Sequence, residues 1–179
     1  MPLYLQRHTK PQVKSCLCYG FTDLNLDTKY TNEHLPAVIK RLDDLNFKHI
    51  YSSPLNRCSL LALDLAQHLN HKEIIYDTRL KELNFGDWEM MNWDDIYKLE
   101  EGKLWFQDYL NYKIPGGESL NELLFRAQDF LSEIDYKKDN ILAVTHSGFI
   151  RAALIATDLI KREDAFSLRI DYGELVIIP

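Results

Sequence analysis

Short apolar runs alternate along this chain with longer segments of helical periodicity, and that alternation most narrows the folds open to it. The runs are Leu3–Leu5 (the end of an apolar stretch opening at Met1), His49–Ser52, Glu73–Tyr76, Ile141–Thr145, Phe166–Ile170 and Leu175–Ile178. Each has the length of a strand. Between them, Leu35, Val38, Ile39, Leu42 and Leu45 share one helical face, with Thr31 or Asn32 as the expected N-cap. Asn56 to Leu69 is rich in leucine and alanine, as suits a helix packed on a sheet. Leu120, Leu123, Leu124, Ala127, Leu131 and Ile134 form a third stripe. Ser119 and Glu122 stand ahead of it at capping-box spacing, after the chain-breaking Pro115-Gly116-Gly117. Strands alternating with helices predict βαβ units, hence an α/β fold with a mostly parallel sheet covered on both faces. The aromatic-rich stretch from Trp88 to Tyr112 breaks the rhythm. It reads as two short helices in an insertion, at about 88–116, over one edge of the sheet in a single domain spanning 1–179.

Composition removes several function classes. A net charge of −6 argues against a nucleic-acid stripe or an anionic membrane surface. No apolar stretch approaches the roughly 20 residues of a membrane helix. Three cysteines, with no secretory apolar region at the N-terminus, lead us to expect a reduced, cytoplasmic setting. Cys16-x-Cys18 could in principle be half of a thiolate metal site, but no second pair follows, so no metal is expected.

Strand ends carry the chemistry. Gln6-Arg7-His8-Thr9 follows the first apolar run, at the edge where open α/β sheets bind ligands. A guanidinium can clamp phosphate oxygens and an imidazole can attack phosphorus. The second run stops at Ser53-Pro54, with Arg57 in the first turn of the next helix. The fourth stops at His146-Ser147-Gly148, where another helix begins. Helix N-termini add unpaired N–H groups that favour an anion. Three strand ends thus send Arg7-His8, Arg57 and His146 to one face.

A carboxylate partner is expected in Leu80-Lys81-Glu82-Leu83-Asn84-Phe85-Gly86-Asp87-Trp88-Glu89. Glu82, flanked by apolar neighbours, is a candidate general acid, and Asp87 and Glu89 compete with it on spacing alone. Asp23 shapes a loop or touches substrate; Glu118 favours the positive end of the following helix. His34, His49, His68 and His71 read as helix-face or strand-edge residues without a chemical role.

Arg7-His8-Thr9, Ser53-Pro54-Leu55 with Arg57, Glu82-Leu83-x-Phe85-Gly86-x-Trp88-Glu89 and Thr145-His146-Ser147-Gly148 together resemble, in order, the signatures of the histidine phosphatase superfamily. That group includes phosphoglycerate mutases and fructose-2,6-bisphosphatases. The resemblance covers nearly the whole chain. It implies a phosphoglycerate mutase-like three-layer α/β/α sandwich with His8 as nucleophile. It also implies that Arg7, Arg57 and His146 hold the phosphoryl oxygens, helped by amides after Ser53 or Ser147, and that Glu82 is the proton donor. No cofactor is implied, and the partner is a small-molecule phosphate ester.

Within the superfamily, Thr9 in place of the usual glycine resembles α-ribazole phosphatases of the cobalamin pathway. So do Cys18-Tyr19-Gly20-x-Thr22-Asp23, Phe85-Gly86-Asp87-Trp88-Glu89 and Ile114-Pro115-Gly116-Gly117-Glu118-Ser119. That likeness implies α-ribazole 5′-phosphate as substrate, with Tyr19, Thr22 and Ser147 near it. Lys14 stands where mutases carry asparagine, and the segments that bind a bisphosphoglycerate are shortened. Both departures count against a mutase and make Lys14 a candidate substrate contact. Trp93 and Trp105, among the aromatics of the insertion, either form its core or make a lid that stacks on a flat base. The alternatives are a broad small-molecule phosphatase or a mutase of the same fold, a catalytically silent binding module, and a metallohydrolase using His8 and His146. Neither histidine has a carboxylate at ligand spacing beside it, which argues against the last.

Overall fold

Five of the six apolar runs form strands in the computed structural model, which describes residues 2–179; Met1 lies outside the described residues. They are β1 (Leu3–Arg7), β2 (His49–Ser52), β3 (Ile74–Tyr76), β4 (Ile141–Thr145) and β5 (Leu175–Ile178). Their order across the sheet is β3-β2-β4-β1-β5. Strands β1 to β4 are parallel to one another, and β5 runs antiparallel along β1. The helices are α1 (Thr28–Lys40), α2 (Asn56–His68), α3 (Trp93–Lys98), α4 (Glu100–Gln107), α5 (Leu120–Glu133) and α6 (Ser147–Ala156).

Alternation along the strands builds three layers, because successive side chains leave opposite faces of a strand. Tyr4, Leu142 and Val144 point to one face, where they pack with Val38 of α1 and Leu61, Ala62 and Leu65 of α2. Leu3, Leu5, Ile141 and Ala143 point to the other, against Leu123 and Phe130 of α5 and Phe149 and Ala153 of α6. All of β4 is buried, as a central parallel strand covered on both sides must be. The sheet is therefore the middle of an α/β/α sandwich. Helices α3 and α4 are the two short helices of the aromatic stretch, and Ile96 and Trp105 join the α5/α6 side of the core.

Two local expectations are corrected. Phe166–Ile170 is not a strand. Turn bonds from the Ser167 and Leu168 amides to the Asp164 carbonyl take the backbone away from any ladder, and Phe166 packs on Trp105 and Tyr109 instead. Helix α1 begins earlier than its apolar stripe indicates. Asp27, not Thr31 or Asn32, is the N-cap, its side chain accepting from the Tyr30 amide. The capping box of Ser119 and Glu122 is present as expected, each side chain accepting from the other's backbone N–H.

Candidate active site

The C-terminal ends of β1, β2 and β4 lie side by side, so the residues that follow them meet at one edge. Arg7, the last residue of β1, is the register partner of Thr145 in β4, and Ser52 of β2 is the partner of Val144. His8, Ser53, Arg57 and His146 are all buried where these ends converge.

The tautomer of His8 follows from its neighbour. Its Nδ1 lies 2.6 Å from the Thr9 carbonyl oxygen. A carbonyl only accepts, so Nδ1 carries the proton and Nε2 presents a lone pair. Burial holds the ring's pKa well below the usual histidine value, and the charges of Arg57 and Arg7 add to the effect. The imidazole is neutral near pH 7. Thr9 is pinned in turn, because its Oγ1 lies 2.6 Å from Oγ1 of Thr31 on α1, with both side chains buried.

Two guanidiniums act on the ring through their charge. Arg57 donates to the carbonyls of Thr22 at 2.9 Å and Gly20 at 2.5 Å. Arg7 donates to the Ile170 carbonyl at 2.5 Å. Nε of each is buried and has no hydrogen-bond partner among the described residues. Neither arginine forms an ion pair among the described residues. His146 completes the group, its ring centroid 5.1 Å from that of His8. Its Nε2 meets Ser53 Oγ at 2.8 Å and Cys58 Sγ at 3.3 Å. Burial, then Arg57, His8 and Arg7, push its pKa well below the usual value as well. Two neutral imidazoles and two unpaired cations form a cradle for a tetrahedral dianion.

Among the three acids, position separates the candidates. Glu82 accepts from the Leu83 amide at 3.0 Å, the Gly148 amide at 3.2 Å and Ser147 Oγ at 3.3 Å, and it lines the cavity beside Arg7. A Cβ at Gly148 would fall 2.0 Å from Glu82 Oε1, so a side chain there would displace the carboxylate. Glu89 faces elsewhere: it accepts from the amides of Gly20, Phe21 and Thr22 and orders that loop. Burial opposes its ionisation, but the hydrogen bonds from Thr22, Gly20 and Phe21 prevail and hold its carboxyl below the usual range. Asp87 sits against Gly116. The backbone of Glu82 is braced by Arg126 of α5, which donates to the carbonyls of Arg79, Lys81 and Glu82 while pairing with Glu118 at 2.8 Å. Glu118 also accepts from the Asn84 amide, and Asp23 accepts from the amide of Asn56 at the start of α2.

A cavity of about 620 Å³ opens onto Arg7 and Glu82. Lys14, Tyr19, Trp93 and Ser147 line it as well. Thr22 and Trp105 do not. Thr22 is occupied by Glu89 and Arg57, its hydroxyl donating to the first and its carbonyl accepting from the second. Trp105 is buried in the aromatic core against Phe85, Trp88, Trp93 and Phe166. Of the paired lid candidates, only Trp93 reaches the cavity.

Sequence reasoning missed Arg151, Phe166 and Tyr172, which also line this space. Arg151 stands one helical turn after Ser147, on the same face of α6, and that spacing was legible. Tyr172 was harder to find, because it precedes β5. An antiparallel edge strand brings its N-terminal end, not its C-terminal end, to the site.

The model of the histidine phosphatase superfamily (branch 1) matches residues 3–179. Phosphoserine phosphatase 1 of Hydrogenobacter thermophilus (strain DSM 6534 / IAM 12695 / TK-6) is 34% identical over 119 residues, which are 63% of this chain and 56% of that enzyme. The match thus spans just over half of that relative's length. Probable phosphoglycerate mutase GpmB of Escherichia coli O1:K1 / APEC is 29% identical over 189 residues, 97% of this chain and 86% of that protein. Among solved structures, the α-ribazole phosphatase from Shigella flexneri superposes with a TM-score of 0.87 at 24% identity, covering 100% of this chain and 90% of that one. A mycobacterial glucosyl-3-phosphoglycerate phosphatase gives 0.85 at 21% identity, covering 98% and 88%. At such identities the solved structures speak for the fold.

Proposed function

The chain belongs to the histidine phosphatase superfamily, and from that premise we propose that it is a metal-independent phosphomonoesterase working through a phosphohistidine at His8. The observation that carries this reading is the fixed His8 tautomer: with Nδ1 committed to the Thr9 carbonyl, Nε2 is a neutral nucleophile that feels the charge of two guanidiniums with no ion pair among the described residues. Nε2 attacks phosphorus in line as the P–O(ester) bond breaks. Arg7, Arg57 and His146 stabilise the three non-bridging oxygens, which is most of what phosphoryl transfer asks of a protein. Glu82 protonates the leaving oxygen, then removes a proton from the water that cleaves the N–P bond. Acid–base catalysis of this kind is worth ~10²–10⁴-fold. The cationic side chains supply the charge that a metal supplies elsewhere. We place the activity in the cytoplasm, which suits three free cysteines.

For the substrate we propose α-ribazole 5′-phosphate. The subfamily motifs support it, as does Trp93, a flat aromatic wall on a cavity of about 620 Å³, a size suited to a small ligand. Arg151 favours a second reading, a phosphatase for esters whose leaving group carries its own carboxylate. Its Nε is buried without a partner among the described residues, and it lines the same cavity.

The test is kcat/KM on α-ribazole 5′-phosphate, phosphoserine, 3-phosphoglycerate and p-nitrophenyl phosphate, with acid-labile phosphoenzyme trapped from labelled substrate. We expect a clear preference for α-ribazole 5′-phosphate and complete loss of trapped phosphoenzyme in H8A. A preference for the carboxylate-bearing esters selects the second reading. Full activity in H8A removes both.

A further inference from the structure

Arg7 and Arg57 are two like charges that both act on His8, and an arrangement of this kind repels itself when no phosphate is present. A carboxylate would offset the charge, but it would also compete with the phosphate. Beside the backbone carbonyls that each guanidinium meets, a tyrosine face lies against it. Cζ of Arg7 is 4.1 Å from the centroid of the Tyr172 ring, and Cζ of Arg57 is 5.4 Å from that of Tyr19. Both distances lie within the reach of a cation–π contact. The two tyrosines are tied to each other through their hydroxyls at 2.7 Å. Tyr172 is also tied to the nucleophile's own strand. The Gly173 amide donates to the His8 carbonyl at 3.1 Å, and the Arg7 amide donates to the Glu174 carbonyl at 2.9 Å. The Tyr172 ring is 5.8 Å from that of His8.

We propose that Tyr172 is a positioning residue for Arg7: its ring holds the guanidinium toward His8 while no phosphate is bound, and Tyr19, joined to it through the hydroxyl pair, does the same for Arg57. The arene faces supply partial negative charge without lone pairs that could capture the cations, so Nε of each guanidinium keeps no partner among the described residues. This inference rests on the phosphate-binding reading of the pocket. It adds that the ring of Tyr172, more than its hydroxyl, sets phosphate affinity.

The experiment is calorimetric titration of the intact chain with inorganic phosphate, alongside the melting temperature of each variant. Y172L is expected to weaken phosphate binding about tenfold, within the range of a desolvated cation–π contact. Y172F and Y172W, which keep a ring, should hold the dissociation constant within threefold of the wild-type chain. A merely structural role for Tyr172 would lower the melting temperature of Y172L and leave its phosphate affinity intact; that result overturns the proposal. Equal weakening in Y172F and Y172L also overturns it, because the hydroxyl would then carry the effect. If Y172L does not fold, Y19L against Y19F puts the same question to Arg57, with the same two outcomes. A wild-type chain that binds no phosphate removes the underlying reading, whereas one that binds phosphate as tightly as Y172L does removes only the role of Tyr172.

Discussion

Arg7 and Arg57 at the sheet edge contrast with Arg79 and Arg126 beside α5. The second pair spends its donors on protein partners. Arg79 reaches Asp77 at 2.7 Å, Asp129 at 2.8 Å and Glu133 at 2.7 Å, and its guanidinium is held charged by these carboxylates. Arg126 divides its donors between Glu118 and three carbonyls. The first pair keeps a buried donor unspent on each guanidinium and has no carboxylate partner among the described residues. Burying a cation without a counter-ion costs stability, so such an arrangement persists where a ligand supplies the missing charge. On the proposed function, the difference separates an arginine that holds the fold from one that waits for an anion.

The contrast is broken most directly by exchanging functions across it. R57M is expected to lower kcat/KM by ~10²–10³-fold, the usual effect of losing one preorganised donor to a developing charge. A loss below threefold would show that Arg57 is not part of the phosphate clamp.

Arg126 lies between the two classes, because it is structurally saturated yet braces the backbone of Glu82. R126M should lower kcat about tenfold with KM little changed, the pattern expected when a proton donor is misplaced and binding is not. A rise in KM alone would place Arg126 with substrate binding instead.

The unpaired cations also bear on stability against pH. His8 and His146 have folded-state pKa values below the unfolded value of 6.5. As pH falls through about 6.5, the unfolded chain takes up protons that the folded chain refuses, so the folded state loses stability on the acid side. The melting temperature should drop between pH 7 and pH 5, and the drop should be shallower in H146Q. A flat profile over that interval would mean that neither ring is held neutral by its surroundings.

The smallest effect is expected in the surface network. R79M should leave kcat/KM within twofold and lower the melting temperature by a few degrees, since two of its three carboxylate partners, Asp129 and Glu133, are largely exposed and such pairs contribute at most ~1 kcal/mol each. A large loss of activity would mean that the Asp77–Arg79 turn positions the active site and does more than hold the fold.

How much of the site was legible differs from residue to residue. His8, Arg57 and His146 stand just past apolar runs, so their place follows from strand length and from the rule that parallel strands deliver their C-terminal ends to one edge. Glu82 could be narrowed to a segment, but its separation from Glu89 depends on which way each carboxylate turns. Three amides of the 20–22 loop capture Glu89, and no spacing encodes that. Phe166–Ile170 misleads because its alternating Phe166, Leu168 and Ile170 imitate a strand while turn bonds to Asp164 decide its backbone. Trp93 and Trp105 look alike in sequence, yet one reaches the cavity and the other is sealed among aromatic neighbours.

The α/β architecture, the helix stripes, the capping box ahead of α5 and the residue types at the strand ends can be read from the order of residues alone. All of these are written in hydrophobic period and local hydrogen bonding, which act over a few residues. Which nitrogen of His8 is free, which arginines have no ion pair among the described residues, and that Tyr172 faces Arg7 emerge only once the chain is folded. Those facts depend on groups brought together from distant parts of the chain, through a strand order and an antiparallel edge that no local pattern specifies.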